Sequence, residues 1–170
     1  GRHPQRFLHF PRERLMSEQR VTKHKVTART KARRRAVEVL YEADQRGELN
    51  GPKAGQALEA LANERAVNSA NHTVAPEYAR LALKGVAQHL RDIDQILQTY
   101  TQEWSLERMP AVDRAIARLS VWEIVYNDEV DPPVSVDEAM TLARMLSTDE
   151  SPRFLNGLLG RIADLAPTLK

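Results

Sequence analysis

The clearest helical pattern in the chain lies in Arg29-Thr-Lys-Ala-Arg-Arg-Arg-Ala-Val-Glu-Val-Leu-Tyr-Glu-Ala-Asp-Gln-Arg-Gly47. Its apolar residues recur at offsets of three and four, which predicts an amphipathic α-helix. Thr30 is expected to cap the N-terminus, and Gly47 to supply the left-handed residue that ends the helix. The apolar seam consists of Ala32, Ala36, Leu40 and Ala43, with Val37 and Val39 beside it.

The same stretch begins with five cations in seven positions, between Arg29 and Arg35. Positive charge in a first helical turn opposes the helix macrodipole. An anionic partner at that end would remove the conflict. Five cations so closely spaced cannot all lie on one helical face, so we expect some to contact phosphates and others to remain solvated.

Charge is distributed very unevenly along the 170 residues. Residues 1–35 contain 12 Lys and Arg against 2 Asp and Glu, a net charge of +10, whereas residues 36–170 contain 13 against 21, a net charge of −8. A basic arm on an acidic body indicates that a polyanion binds the arm. The acidic body argues against a nucleic-acid coat over the whole surface.

The rest of the chain repeats the helical pattern, and no stretch alternates apolar and polar residues as a strand would. We therefore predict an all-α fold of about seven helices in two small packed three-helix bundles. Residues 1–27 are expected to be a disordered basic extension, residues 28–100 the N-terminal bundle and residues 101–170 the C-terminal bundle. The further helices are predicted from Pro52, from Pro76 to about Tyr100, over a short turn at 105–109, from about Pro110 to Asn127, from a capping box at 135–138 to about Leu146, and from Ser151 to about Ala166.

Several functional classes lack their signatures in this sequence. There is no cysteine, no metal-binding histidine pair, no phosphate-binding glycine loop and no local catalytic constellation. We therefore expect a binding protein without cofactor or metal rather than an enzyme. No apolar run approaches the roughly 18–20 residues that a membrane span needs, and no secretory signal is visible, so we expect a cytoplasmic protein with no membrane partner.

Four stretches of the chain form a recognisable set. They are Ala32-Arg-Arg-Arg-Ala-Val-Glu-Val-Leu-Tyr41, Pro110-Ala-Val-Asp-Arg-Ala-Ile-Ala-Arg-Leu-Ser-Val-Trp-Glu123, Asp137-Glu-Ala-Met-Thr-Leu-Ala143 and Phe154-Leu-Asn-Gly-Leu-Leu-Gly160. Together they resemble the NusB family of bacterial transcription antitermination factors, and the likeness spans about residues 28–166, in order and at the right spacing. Two shorter stretches, 104–108 and 147–152, are most similar to the actinobacterial branch of that family.

The resemblance implies two three-helix bundles that bind the boxA element of ribosomal RNA leader transcripts. It also implies a heterodimer with NusE, a small-subunit ribosomal protein, and entry into the elongating RNA polymerase complex. Some family members are fused to a ribosomal RNA methyltransferase, a domain that we do not expect here. The RNA-binding residues that the resemblance implies are Arg29, Lys31, Arg33, Arg34, Arg35, Tyr41, Asp113, Arg118, Glu150, Phe154 and Asn156.

Several of these residues have a second interpretation. Tyr41 either stacks on an unpaired base or packs beside Leu40, and Phe154 either lies by the RNA or packs in the core. Asp113 either accepts a hydrogen bond from a base amino group or is a favourable first-turn carboxylate. Asn156 reads a base edge or caps internally, and Glu150 stands where many relatives carry Asp.

A competing hypothesis is a protein–protein module whose basic arm docks an acidic partner, including a homodimer that hides the arginine face. A helix-turn-helix DNA binder would need a basic recognition helix in mid-domain, and the mid-chain helices are acidic or neutral. For the RNA hypothesis, neutralising about 4–6 phosphates predicts a slope of log K against log salt of roughly −3 to −4.

Overall fold

The computed structural model describes residues 26–67, 75–102 and 104–170. Over these ranges the chain is all-α and contains six α-helices rather than about seven, together with a 3₁₀ turn at Leu106–Arg108 and a π-helical turn at Trp122–Tyr126. The helices are α1 Ala28–Gln45, α2 Ala54–Val67, α3 Glu77–Tyr100, α4 Ala111–Val121, α5 Pro132–Leu146 and α6 Ser151–Leu169.

Helix α1 forms as its sequence predicts, except that a different residue caps its N-terminus. The predicted seam is buried throughout, and Gly47 has a φ of +74° just after the helix, which confirms both expectations. The N-cap is Thr27 rather than Thr30. The Thr27 side chain accepts from the Thr30 backbone N–H and the Thr30 hydroxyl accepts from the Thr27 backbone N–H, so the two threonines form a reciprocal capping box.

Helix α4 is enclosed by α1, α3, α5 and α6. Residues 115–125 are buried without interruption, which places α4 and the π-helical turn at the centre of the described structure. A single hydrophobic cluster connects all six helices. Its largest fully buried side chains include Leu40, Ile93, Ile116, Ile124, Leu142 and Leu158.

The π-helical turn meets a kink in α3. His89 has non-helical backbone angles of φ −120° and ψ 16°, and its ring stacks on that of Tyr126 with centroids 3.8 Å apart. One turn earlier, Gly85 lies against the Trp122 indole so closely that an added Cβ would be 2.0 Å from the indole nitrogen. Both elements therefore depart from regular α-helix where they pack on each other.

The Asp131-Pro-Pro133 stretch, which follows the segment of α4 and the π-helical turn, contains the start of the next helix. Helix α5 begins at Pro132, because proline fits the first turn, where its missing N–H has no partner to lose. The predicted capping box at 135–138 was therefore wrong. Ser135 lies inside the first turn, fully buried, and its hydroxyl donates to Oε1 of Glu123 at 2.8 Å.

Other boundaries shift by small amounts. Helix α2 begins at Ala54 rather than Pro52, and α6 continues to Leu169 through Pro167. The disorder predicted for residues 1–27 falls mostly on residues 1–25, which lie outside the described residues, as do 68–74. The division into bundles at 28–100 and 101–170 stays a prediction.

Candidate nucleic-acid interface

The cationic stretch of α1 divides between the surface and the interior. Arg33 points inward and is only 4% exposed. Its Nε donates to Oε2 of Glu123 at 2.7 Å, and its Nη1 donates to Oε1 of Glu138 at 2.8 Å. Arg33 therefore ties α1 to the π-helical turn and to α5, and its guanidinium is not at the surface.

Other buried polar groups complete this ion-pair cluster. The Tyr78 hydroxyl donates to Oε2 of Glu123, and the Thr30 hydroxyl donates to Oε1 of Glu138 at 2.8 Å. Burial alone would lower the pKa of Arg33, but the charges of Glu123 and Glu138 outweigh it, so the pKa of Arg33 is raised. Burial and the Glu123 carboxylate raise the pKa of Tyr78. Arg33 is thus held in its protonated form and the phenol of Tyr78 in its neutral form.

Two cations in the first turn of α1, Arg29 and Lys31, are exposed. Arg29 lies with its guanidinium carbon 3.9 Å from the centroid of the Tyr78 ring, a cation–π contact that fixes the side chain without neutralising it. Lys31, two residues further along the same helix, is exposed to solvent. Both charges are therefore accessible to a phosphate.

Arg34 and Arg35 are half-buried beside them. The Nε of Arg34 is 3.5 Å from Oε2 of Glu38, and Nη2 of Arg35 donates to the Arg65 carbonyl at 3.3 Å. These contacts orient both side chains on the outer side of α1. We call Arg29, Lys31, Arg34 and Arg35 the cationic region.

Tyr41 and the two predicted residues of α4 are inside the molecule. Tyr41 is 5% exposed, and burial together with the charge of Asp44 raises the pKa of its hydroxyl. Asp113 is fully buried, and its Oδ1 accepts a hydrogen bond from the Ser147 hydroxyl. Burial raises the pKa of Asp113. Both side chains are thus inside the folded chain, and Asp113 has an internal hydrogen-bond partner.

Arg118 is part of an internal clasp with the end of α1. Its Nε and Nη2 donate to the two carboxylate oxygens of Asp94 at 2.8 and 3.0 Å. Asp44 receives a 2.7 Å bond from Nε of Arg114 and a 3.4 Å bond from Nη1 of Arg118. These bonds connect α1, α3 and α4 below the surface.

The remaining predicted residues lie at the start of α6. Glu150 and Asn156 are exposed and Phe154 is half-buried. The Phe154 ring faces that of Trp104, with centroids 4.7 Å apart and planes at 40°. We call Trp104, Phe154 and Asn156 the aromatic region.

Trp104 is not among the residues that we predicted to bind RNA from the sequence. The available signal was its position in a polar segment, between the end of α3 and the 3₁₀ turn, outside every predicted apolar seam.

The two regions lie at opposite ends of α4. At one end, Arg33 contacts Glu123 in the π-helical turn that follows α4. At the other end, Ser147, close in sequence to the start of α6, contacts Asp113 in the first turn of α4. Ten residues separate Asp113 from Glu123, a distance of about 15 Å along a helix axis. The predicted RNA-binding residues that reach the surface therefore form two separate regions, and Arg33, Tyr41, Asp113 and Arg118 are buried between the helices.

Within the described residues no group of three or more His, Asp or Glu side chains is arranged to hold a metal ion. None of the described helices combines the length and apolarity required to cross a bilayer.

Comparison with known proteins gives one consistent result. The family model described as "NusB family" matches residues 30–164. The transcription antitermination protein NusB of Beutenbergia cavernae is 52% identical over 146 residues, which cover 85% of this chain and 95% of that protein. The protein of the same name from Kineococcus radiotolerans is 48% identical over 85% of this chain and 98% of its own length.

Solved structures agree with this assignment. Thermotoga maritima NusB, described as "T. maritima NusB, P3121, Form 2", superposes with a TM-score of 0.64 at 30% identity, covering 81% of this chain and 92% of that chain. A chain from the structure described as "Crystal Structure of a Plectonemic RNA Supercoil" superposes with a TM-score of 0.63 at 26% identity, covering 84% of this chain and 98% of its own. The family match over 30–164, the relatives at about half identity and the shared all-α fold lead to one conclusion: this chain belongs to the NusB family.

Proposed function

We propose that the protein is a transcription antitermination factor that binds the boxA element of ribosomal RNA leader transcripts. It acts in the cytoplasm as a heterodimer with NusE and joins the elongating RNA polymerase complex. Membership of the NusB family over residues 30–164 is the observation that carries this proposal. The description of one structural neighbour, which names an RNA, supports RNA as the ligand class.

The cationic region supplies the phosphate contacts in this proposal. Arg29 and Lys31 are exposed, and Arg34 and Arg35 lie beside them on the first two turns of α1. Cations that neutralise phosphates release counterions, which supplies affinity without sequence preference. The acidic remainder of the chain, with a net charge of −8 over residues 36–170, confines this contact to one end of the molecule.

The buried cluster gives the cationic region its fixed geometry. Arg33 holds the first turns of α1 against Glu123 and Glu138, and the Tyr78 ring lies under Arg29. In this proposal Arg33 does not contact RNA itself but keeps the cationic region in position from the interior of the protein. Asp113 and Arg118 act similarly, since they join α4 to its neighbours, and Tyr41 packs α1 onto the core.

Base contacts are assigned to the aromatic region. Phe154 offers part of an aromatic face, and the exposed Asn156 amide has both a donor and an acceptor for a base edge. Glu150 lies beside them and discourages a phosphate contact there. The RNA strand therefore contacts the protein by charge at one end of α4 and by its bases at the other.

The test is a binding titration of boxA-containing leader RNA against the full chain, with and without NusE, at several salt concentrations. We expect saturable binding that weakens with salt, and a higher affinity when NusE is present. Binding equal to that of an unrelated RNA, with or without NusE, would contradict the proposal. Sedimentation in parallel detects an RNA-insensitive homodimer, which would favour the protein–protein alternative.

A further inference from the structure

Trp104 is an exposed aromatic side chain that the packing of the helices does not require. Its side chain is 37% exposed, whereas Trp122, the other tryptophan of the chain, is buried in the core. The large exposed hydrophobic residues of the described structure are Val67, Leu81, Trp104, Val134 and Leu165, and Trp104 is the aromatic one among them. The Phe154 ring lies beside the indole in a tilted arrangement, with ring centroids 4.7 Å apart and planes at 40°.

Described residues on both sides of Trp104 are held by hydrogen bonds to neighbouring helices. The Thr101 hydroxyl donates to the Trp104 carbonyl oxygen at 2.7 Å. Nη2 of Arg161, on α6, donates to the Tyr100 carbonyl at 3.0 Å, and Nη1 of Arg114, on α4, donates to the Leu106 carbonyl at 3.0 Å. Anchoring of Tyr100 and Leu106 reduces the conformational freedom that is lost when a ligand stacks on the indole.

The surroundings of the indole suit a nucleic-acid base better than a protein surface. Arg153 and Asn156 on the first turns of α6 are exposed polar side chains. Among the other large exposed hydrophobic residues, Val67, Leu81 and Val134 lie on α2, α3 and α5. Leu165 lies on α6, about 16 Å along the helix axis from Phe154. A protein-docking site would need a contiguous apolar patch of several side chains. A single aromatic face within a polar rim matches a stacking platform for an unpaired base.

We propose that Trp104, with Phe154 at its edge, stacks on one unpaired base of the same RNA strand that contacts the cationic region. The inference rests on the proposed function and identifies its ligand as a strand with an unpaired base about 15 Å or more from the phosphates held by α1.

The test uses the full chain and a short single-stranded boxA RNA. Because Trp122 is buried, RNA-dependent quenching of tryptophan fluorescence should come from Trp104. We expect saturable quenching in the native chain and none in Trp104→Phe. Trp104→Ala should weaken RNA binding by about 5- to 160-fold, the range expected for the loss of one base–aromatic stack, and Trp104→Phe should restore most of it. The salt slope should be the same in all three proteins.

An abasic scan of the RNA identifies the base. One abasic position should weaken binding to the native chain as much as Trp104→Ala does, and that position should have no further effect on Trp104→Ala. Leu165→Ala is the matched control, since it removes a side chain of similar exposure (38%) from α6. It should bind RNA normally.

The outcomes separate this inference from the proposed function. RNA binding by Trp104→Ala equal to that of the native chain, with no quenching, overturns the stacking role and leaves the proposed function in place. Loss of NusE binding with unchanged RNA affinity also overturns it and assigns Trp104 to a protein contact. Absence of boxA binding by the native chain removes the proposed function itself.

Discussion

The Nε atom of Arg33 lies 2.7 Å from Oε2 of Glu123, and both side chains are at most 4% exposed. Glu123 in turn accepts from Tyr78 and Ser135, and Glu138 accepts from Arg33 and Thr30. One guanidinium thus faces two carboxylates in the interior. The arrangement makes Arg33 a structural residue, whereas its neighbours Arg34 and Arg35 are only half-buried.

Replacing Arg33 with Ala should be strongly destabilising. The change leaves Glu123 and Glu138 as buried charges without their cation, and removal of one partner of a buried pair typically costs about 3–5 kcal/mol. The measurement is the free energy of unfolding from urea titration. Lys31→Ala, two residues away and exposed, is the control and should change stability by less than about 0.5 kcal/mol. Equal effects of the two substitutions would contradict the structural role of Arg33.

Removing the two exposed cations of α1 should reduce the salt dependence of RNA binding. In the double variant Arg29→Ala/Lys31→Ala, the slope of log K against log salt should become shallower by about 1.4, since each phosphate contact on a single strand contributes about 0.7. The control is Lys84→Ala/Arg91→Ala, which removes one lysine and one arginine that are exposed on α3. An equal reduction in the control would show that only net charge matters.

Gly85→Ala should disturb the contact between α3 and the π-helical turn. The new Cβ would be 2.0 Å from the Trp122 indole nitrogen and 2.3 Å from Cε2, so the indole must move. We expect a loss of about 1–3 kcal/mol in unfolding free energy and an altered near-UV circular dichroism signal.

Gly160→Ala provides the control for this site. A Cβ at Gly160, within α6, has no atom within 4 Å, so only helix propensity changes. Stability should rise by up to about 1 kcal/mol. If both substitutions shift stability in the same direction, the close approach of Gly85 to Trp122 is not what limits that position.

Asp113→Asn should stabilise the protein relative to the native chain increasingly as pH rises. Burial raises the pKa of Asp113 in the folded state, so its contribution to stability is greatest below the unfolded pKa of about 3.9 and falls as pH rises through the folded pKa. Asparagine does not titrate and avoids that loss. The measurement is unfolding free energy between acidic and neutral pH, with the exposed Asp137→Asn as control. A difference between Asp113→Asn and the native chain that does not vary with pH would contradict the buried-carboxylate argument.

The helices themselves could be predicted from the sequence because apolar spacing and chain breakers carry most of that information. The seam of α1 and the left-handed Gly47 show this directly. Helix starts were less predictable, since Pro132 both ends one segment and opens the next. Ser135 fitted a capping pattern, but Glu123, distant in sequence, takes its hydroxyl.

The candidate site could be predicted only in outline. The charge run identified the end of α1, but not which arginine turns inward. A signal was present: Arg33 shares a helical face with Ala36, Val37 and Leu40, at offsets of three, four and seven. Its partners Glu123 and Glu138 come from elements 90 and 105 residues away, and no local pattern connects them. Trp104 and Phe154 are likewise brought together only by the folded chain.

The enclosure of α4 has a consequence for how the two surface regions work together. Helix α4 packs against four other helices, and ion pairs of Arg114 near its start and of Arg118 in its last turn hold it to α1 and α3. We therefore expect the distance between the two surface regions to stay nearly constant when RNA binds. In our proposal the flexible single strand must span this distance. The number of nucleotides between the phosphates on α1 and the stacked base, and not a movement of the protein, therefore decides which transcripts bind.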